Sequence, residues 1–210
     1  MKLVRELKMS NPFYLIITGD GSGDFKTFEA LCEKYNGHHK TLWFPVLGLK
    51  KKTGLSALDS IKDFPGDFGI NSIIYVVDGE FFNGDAMKQI EDYLIAIGIK
   101  ITYSELIQEA FLMNCIIGSH KIILYCIILG PRTFIEEELA RLIQFELNIT
   151  IDLLGERDHN WKMRVKSDID RILDENHTNI KKLIRIARRN NLEKAFPNIC
   201  AVFGKIEMDC

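Results

Sequence analysis

The sequence predicts an α/β protein with a Rossmann-like, mostly parallel sheet of about four to five strands flanked by helices. Three observations favour this fold class. Short apolar runs alternate with segments of helical periodicity, which is the order of βαβ units. The runs lack polar alternation, as is typical of parallel strands covered on both faces. Two of them end in glycine and acidic residues, and ligands in such sheets bind at the carboxyl ends of strands.

Each element is predicted from its own pattern. Strands are expected where β-branched and aromatic residues cluster, at Phe13–Thr18, Thr41–Leu47, Ser72–Val77 and Ile122–Leu129. Helices are expected from Asp24 or Phe25 onward and over Gly54–Phe64, Asp85–Ile97 and Thr133–Leu147. Further along, Lys162–Leu173 and Thr178–Arg189 show helical spacing, and no long strand pattern follows them. We therefore expect an α/β core over residues 1–150 and a helical C-terminal extension, packed on it, over residues 151–210.

The composition is that of an ordinary globular protein and limits the classes of function. The 210 residues are 47% apolar and 27% charged, which suffices for a large core and leaves little room for disorder. The net charge of −2 provides no global basic field, so any binding of nucleic acid has to be local. The five cysteines contain no CxxC pair, which argues against a disulfide framework and a zinc knuckle. They are expected to be reduced thiols in a cytoplasmic protein.

Export and membrane insertion are not expected. Residues Met1–Ser10 mix charged and apolar residues and lack the apolar stretch of a signal peptide. The run Cys115–Leu129 is broken by Gly118, Ser119, His120 and Lys121 and is shorter than the roughly 20 residues that span a bilayer. We therefore expect no membrane partner.

Two strand-end motifs are the most informative feature of the sequence. Asp20-Gly21-Ser22-Gly23-Asp24 and Asp78-Gly79-Glu80 each follow an apolar run, and in a parallel sheet both emerge at one edge. Converging carboxylates repel one another unless a cation neutralises them, and hard divalent ions prefer oxygen ligands. The motifs therefore predict a site for Mg²⁺ or Mn²⁺.

The spacing within the motifs suggests individual roles. In an extended segment Asp78 and Glu80 point to the same side, since strand side chains alternate with period 2. Gly21 and Gly23 give the first loop the freedom for close approach of a phosphate, and the helix that follows offers its N-terminus to an anion. Each motif taken alone is equally typical of a solvated turn or an ordinary strand end.

The order of these motifs resembles the TOPRIM family, the catalytic module of topoisomerases, bacterial primases and OLD-type nucleases. That family has an apolar strand followed by E-G-x-x-D, then a second strand followed by D-x-D. Here Asp20 stands at the family's glutamate position, Gly21 and Asp24 match, and Asp78 is followed by Glu80 in place of the second aspartate. The resemblance covers roughly residues 13–147 and implies a Mg²⁺-dependent site.

A third stretch matches the family more weakly. Ile128 to Glu136 resembles the strand and R-x-x-I-E segment of stand-alone and OLD-like TOPRIM proteins. The resemblance implies that Glu136 is a further metal-binding acid and that Arg132 contacts phosphate.

A basic helical face is a candidate contact for nucleic acid. Lys181, Arg185, Arg188 and Arg189 lie at i, i+4, i+7 and i+8, which gathers four positive charges on one side of a helix. Such a face suits a phosphate backbone. A solvated helix side is at least as good an interpretation.

Together these features predict a metal-dependent nuclease acting on DNA or RNA. Asp78 and Glu80 hold the metal, Asp24 assists, and Asp20 moves the proton. One alternative is a TOPRIM-like binding or regulatory protein that has lost catalysis, which the non-standard acids favour. Another is a small-molecule phosphohydrolase on a related sheet, against which the lack of a D-x-D-x-T motif argues.

Overall fold

Seven strands and seven α-helices are present in the computed structural model, which describes residues 1–6, 14–18, 25–35, 40–45, 53–63, 70–108, 110–130, 134–156 and 158–208. The strands are β1 (Lys2–Val4), β2 (Tyr14–Thr18), β3 (Thr41–Trp43), β4 (Ser72–Asp78), β5 (Lys100–Ile107), β6 (Ala110–Ile117) and β7 (His120–Leu129). The helices are α1 (Phe25–Glu33), α2 (Ala86–Ala96), α3 (Ile135–Leu147), α4 (His159–Glu175), α5 (Ile180–Ile186), α6 (Arg189–Ala195) and α7 (Pro197–Met208). Two 3-10 segments, Gly54–Asp63 and Gly79–Phe81, complete the set. In these described ranges no helix combines the length and the apolar character needed to cross a membrane.

The strands form one mixed sheet in the order β1-β3-β2-β4-β7-β6-β5. Its first five strands run parallel, and β6 and β5 add an antiparallel hairpin beyond β7. The α/β class is confirmed, but the expected sheet of four to five strands was too small. The prediction missed β1, β5 and β6, and β6 is joined to β7 by a turn at Gly118 (φ 58°) between Ile117 and His120. A glycine with positive φ at this place is typical of a tight hairpin turn.

The sheet is covered on both faces, as the continuous apolar strands predicted. Tyr14 and Ile16 of β2 face one buried cluster, here called the α1 face, which contains side chains from α1 and from α3 to α7. Leu15 and Ile17 face the other cluster, here called the α2 face, which contains the 3-10 helix Gly54–Asp63 and α2. Helices on both faces bury both rows of strand side chains.

The chain reverses its winding direction at β2. This strand pairs with β3 on one side and with β4 on the other. The connection from β2 to β3 runs through α1 on the α1 face, and the connection from β3 to β4 runs through the 3-10 helix on the α2 face. The carboxyl ends of β2 and β4 therefore border a topological switch point, where open α/β sheets form a ligand-binding crevice.

The C-terminal helices pack directly against the sheet. Val165 of α4, Leu183 of α5 and Phe203 of α7 belong to the same buried cluster as the strands of the α1 face. A side-chain amide on α7 also bonds to the sheet, since Asn198 Nδ2 donates to the carbonyl of Ile128 at 2.8 Å. The α1 face of the sheet is thus buried largely by residues that follow it in sequence.

Candidate functional site at the carboxyl ends of β2 and β4

Asp78 is the last residue of β4 and lies at the switch point. In the sheet it stands beside Leu129 of β7, while β2 on the other side of β4 pairs up to Thr18 with Val76. Its neighbours two and four positions back, Val76 and Ile74, face the α1 face, so the period of the strand directs Asp78 to that face as well. Only 2% of the residue is exposed, and a carboxylate buried this deeply requires charged or polar partners.

Lys162 of α4 supplies a positive charge to this carboxylate. Its Nζ lies 3.2 Å from Asp78 Oδ2, and its side chain is 21% exposed against 3% for Asp78. The same ammonium lies 4.3 Å from the centroid of the Phe134 ring, which is a cation–π distance. Phe134 in turn stacks on Trp161 with a centroid separation of 5.9 Å and an interplanar angle of 22°. The ammonium is therefore held between a carboxylate and an aromatic wall.

The N-terminus of α4 positions Lys162. The side chain of Asp158 precedes the helix and accepts the backbone N–H of Trp161 at 2.7 Å, which satisfies one of the unbonded donors of the first turn. The side chain of Trp161 is buried against the α1 face. With the first turn fixed at Trp161, the next residue is directed toward the carboxyl end of β4.

A close backbone contact between Gly130 and Phe134 holds the aromatic side chains next to the end of β7. Gly130 follows β7 with φ 71°, and its N–H donates to Glu138 Oε1 at 3.3 Å. A Cβ on Gly130 would lie 2.4 Å from both the backbone nitrogen and the carbonyl oxygen of Phe134. Only glycine fits at this distance, since a side chain there would meet backbone atoms that have no room to move.

Three consecutive acids occupy the first turn of α3. Glu136, Glu137 and Glu138 are buried, with exposures of 7%, 3% and 1%. The positive end of the helix dipole favours negative charge at this position. Because α3 follows the carboxyl end of β7, Glu136 lies at the same edge of the sheet as Asp78. Among the described residues, however, no group of three or more His, Cys, Asp or Glu side chains is arranged to hold a metal ion.

Glu80 is placed differently from the expectation drawn from the D-x-E spacing. The strand ends at Asp78, and Gly79–Phe81 form a single 3-10 turn. Alternation with period 2 therefore stops at Asp78, and the two acids do not share one side of an extended segment. Glu80 is exposed, whereas Asp78 is buried. The turn keeps Glu80 at the same edge of the sheet but on its solvent side.

Several predicted site residues lie outside the described residues: Asp20, Gly21, Gly23, Asp24 and Arg132. The described residues that flank the first loop are Thr18, at the carboxyl end of β2, and Phe25, the first residue of α1. The loop thus joins two ends that border the switch point next to β4.

The predicted basic face is not a free phosphate-binding surface. Lys181 Nζ contacts Glu29 Oε2 of α1 at 2.5 Å, and Arg185 makes a two-point contact with Glu33 of α1 at 2.5 and 2.7 Å. The hydrogen bond from Arg185 lowers the pKa of Glu33. Arg188 is exposed and is the N-cap residue that precedes α6.

These basic residues also lie toward the opposite edge of the sheet. Helix α1 begins at the carboxyl end of β2 and runs back over nine residues, about 13 Å, so that Glu33 lies at its far end. Arg185 binds Glu33, and Lys34 Nζ donates to the carbonyl of Ala187 at 2.9 Å, next to Arg188. The structure therefore does not bring Arg185 and Arg188 together with Asp78.

Sequence reasoning missed Lys162, Glu137 and Glu138. The helical pattern located the start of α4 close to Lys162, but no spacing in the sequence links this lysine to an acid 84 residues earlier. The three consecutive glutamates could have been recognised in the sequence as the first turn of a helix, because acids there complement the helix dipole. Their burial depends on the helices packed over them, which no local pattern reveals.

The fold and the site define a class: an α/β protein with a doubly wound mixed sheet and a buried carboxylate at its topological switch point. Comparison with protein-family models, with curated proteins and with solved structures finds no match for the chain.

Proposed function

We propose that the chain is a metal-dependent enzyme that cleaves phosphodiester bonds in nucleic acid, with its active site at the carboxyl ends of β2 and β4. The observation that carries the proposal is the position of Asp78, buried at the switch point and holding a cationic group at 3.2 Å. Ligands of open α/β sheets bind at such points. The order of the acidic motifs, with its resemblance to TOPRIM proteins, supports the choice of nucleic acid as substrate.

Carboxylates, the ligand type that a hard divalent cation prefers, lie at this edge, although those among the described residues do not form a group of three or more. Asp78 is a buried carboxylate that already stabilises a positive charge, and Glu80 follows it on the solvent side of the same edge. Asp24, and Glu136 from α3, are the further oxygen ligands in the proposal, since Mg²⁺ and Mn²⁺ prefer carboxylates and water. When bound, the ion supplies Lewis-acid stabilisation of the leaving oxygen or activates a water molecule.

The protein residues have separate roles in this proposal. Asp78 and Glu80 bind the ion, and Asp20 moves a proton at the attacking water or the leaving group. Phe134 and Trp161 form an aromatic wall beside Asp78, which limits the access of water on that side. Gly21 and Gly23 allow the phosphate to approach the loop backbone closely.

The decisive experiment compares the wild type with Asp78→Asn on single-stranded and double-stranded DNA and RNA, with and without Mg²⁺ or Mn²⁺. We expect cleavage that requires metal and falls about 100-fold or more in Asp78→Asn. Asp85→Asn is the matched control, because Asp85 is exposed and caps α2, where asparagine caps equally well. Absence of metal-dependent cleavage by the wild type on all four substrates would refute the proposal.

A second candidate function is a binding or regulatory protein without catalysis. It is favoured by the same ion pair, because the charge of Asp78 is compensated by Lys162 without any metal. Calorimetric titration with Mn²⁺ separates the two functions. A binding module would take up nucleic acid equally well in EDTA and in Mn²⁺, whereas the enzyme would bind the ion through Asp78.

A further inference from the structure

A cavity of about 320 Å³ lies among helix α7, the start of α6 and the end of strand β5. Its volume falls within the range of small-molecule pockets, about 300–1,000 Å³. Ile107, Ala201 and Met208 line it with apolar side chains. Cys200 adds a buried thiol, and burial raises the pKa of this thiol from 9.0 to about 12, so that part of the wall is uncharged. None of these residues belongs to the candidate site at Asp78, and the cavity is a separate place at which a small molecule can bind.

Gly204 lines the cavity from the interior of α7. A glycine inside a helix destabilises the fold relative to alanine, because it loses more backbone freedom on folding. Apart from the backbone of its own helix, no atom of the described chain lies within 4 Å of the position that a Cβ on Gly204 would take. Packing between elements therefore does not require the glycine. A side chain at this position would occupy the cavity, so the glycine keeps open a volume that the fold itself does not fill.

Gln108 is a second residue that lowers local stability at the lining of the same cavity. It follows β5 with φ 57°, a left-handed conformation that glycine and asparagine adopt more easily. Strained backbone of this kind clusters at ligand-binding and active sites, and an observed outlier there supports a hypothesis of function. The amide of Gln108 can donate a hydrogen bond to a ligand in the cavity. Two unfavourable local choices, at Gly204 and at Gln108, thus meet at one cavity.

The charges around the cavity favour an anionic ligand. Two basic residues, Arg189 and Lys205, line it together with one acid, Glu193. Arg189 binds Glu193 Oε1 at 3.0 Å and also binds Glu207 Oε2 at 2.7 Å, so both nearby acids are held by the arginine. Among the described residues no acid pairs with the ammonium of Lys205. Lys205, which is partly buried, is therefore the charge that a ligand in the cavity would meet.

We propose that the cavity is a binding site for a small monocarboxylate with an unbranched apolar chain. The carboxylate binds the ammonium of Lys205 and the amide of Gln108, and the chain lies along α7 beside Ala201 and Gly204. A single ammonium matches a monoanion, whereas a phosphate dianion would call for more basic residues. The apolar lining suits a hydrocarbon chain rather than a second polar group. This inference goes beyond the proposed function and does not depend on it.

The test measures the binding of octanoate calorimetrically, with 1-octanol as the uncharged ligand of the same chain length. The wild type is expected to bind one octanoate per chain. Lys205→Met should weaken octanoate about tenfold, because a charge-assisted hydrogen bond is lost, and leave octanol unchanged. Gly204→Leu should weaken both ligands about tenfold or more by filling the cavity, while its urea midpoint stays at or above that of the wild type. Lys194→Met is the matched control on an exposed lysine of α6 and should bind both ligands as the wild type does.

Three results would overturn the inference. The first is the absence of saturable octanoate binding by the wild type. The second is equal octanoate affinity in the wild type and Gly204→Leu, which would place the ligand elsewhere. The third is an equal effect of Lys205→Met on octanoate and octanol, which would remove the reason for an anionic ligand. If Gly204→Leu does not fold, Ala201→Leu decides in its place, because Ala201 lines the same cavity one turn earlier on α7.

Discussion

A Cβ on Gly130 would lie 2.4 Å from both the nitrogen and the oxygen of Phe134, so this glycine sets the distance between the end of β7 and the aromatic wall of the candidate site. Gly130 also has φ 71°. Two independent constraints thus exclude a side chain at this position.

The first prediction is that Gly130→Ala lowers the free energy of unfolding by about 2–5 kcal/mol, which combines left-handed backbone strain with overpacking. Gly118→Ala is the control, since it has φ 58° and open space around its Cβ position. The control should cost about 1 kcal/mol from backbone strain alone. Urea denaturation monitored by circular dichroism measures both. An equal decrease in the free energy of unfolding for both variants would show that the close approach of Gly130 to Phe134 does not contribute to the cost.

The second prediction concerns the Asp78–Lys162 ion pair. Lys162→Met should lower the free energy of unfolding by roughly 2 kcal/mol. Removal of one partner from a fully buried ion pair costs about 3–5 kcal/mol, and the loss is smaller here because the lysine is partly exposed. The double variant Asp78→Asn/Lys162→Met should be more stable than the sum of the single losses implies. Lys166→Met, on an exposed position, should change stability by less than about 0.5 kcal/mol. Strict additivity in this cycle would argue against a direct interaction.

The third prediction is that the basic residues of α5 and α6 contribute little to binding of nucleic acid. Arg185 is engaged by Glu33, and Arg188 lies near the far end of α1. Fluorescence anisotropy at several salt concentrations should show that Arg185→Ala and Arg188→Ala change affinity by less than about twofold and leave the salt dependence unaltered. Lys162→Met is the variant for comparison, because Lys162 lies at the candidate site beside Asp78. A fall in the salt slope by about 1 for either arginine variant would restore the basic face as a phosphate contact.

The fourth prediction follows from the buried thiols. Burial raises the pKa of Cys32, Cys115 and Cys200 from 9.0 to about 12, and raises that of Cys126 as well. A thiol whose pKa is raised in the folded state gives its full stability below the unfolded pKa and loses it as pH rises toward the folded value. Stability should therefore decline between about pH 9 and pH 12. The urea midpoint at pH 8 and at pH 10 measures this, and Cys115→Ala should show a smaller decline. A midpoint that does not change between these two pH values would contradict the prediction.

The same burial predicts low chemical reactivity. At pH 8 the described cysteines are almost entirely protonated, and the thiolate is the reactive form. Iodoacetamide should modify Cys32, Cys115, Cys126 and Cys200 only when the chain unfolds, which peptide mass spectrometry can follow at increasing urea concentration. Rapid modification of Cys200 in the absence of urea would mean that α7 opens locally.

The parallel part of the sheet was predictable because its strands are buried on both faces. Tyr14–Thr18 and Ser72–Asp78 are continuous apolar runs, and their expected bounds differ from the observed ones by one residue. The position of Asp78 at a strand end followed from the same pattern. Burial on both faces leaves a signal within a single segment, so no knowledge of the neighbours is needed.

The strands at the edges of the sheet were not predictable in the same way. Lys2–Val4 has three residues, and Lys100–Ile107 is half exposed and rich in polar residues, so neither stands out from a loop. The ion pair of Asp78 also left no signal, since its partner is 84 residues away. The D-x-E spacing of Asp78 and Glu80 suggested that the strand continues to Glu80, and nothing in the sequence indicated the 3-10 turn that ends it at Asp78.

The distance along the chain between Asp78 and Lys162 has a consequence for biosynthesis. The carboxylate is translated 84 residues before the ammonium that compensates it, and Lys40 similarly finds the carbonyl of Ile206 only 166 residues later. Contacts between residues so far apart form late and slow the folding of a domain. A nascent chain that has completed β4 but not α4 lacks both the helices that bury this face of the strand and the ammonium that pairs with Asp78. The carboxylate therefore stays hydrated, and β4 cannot reach its final packing, until the ribosome has delivered α4.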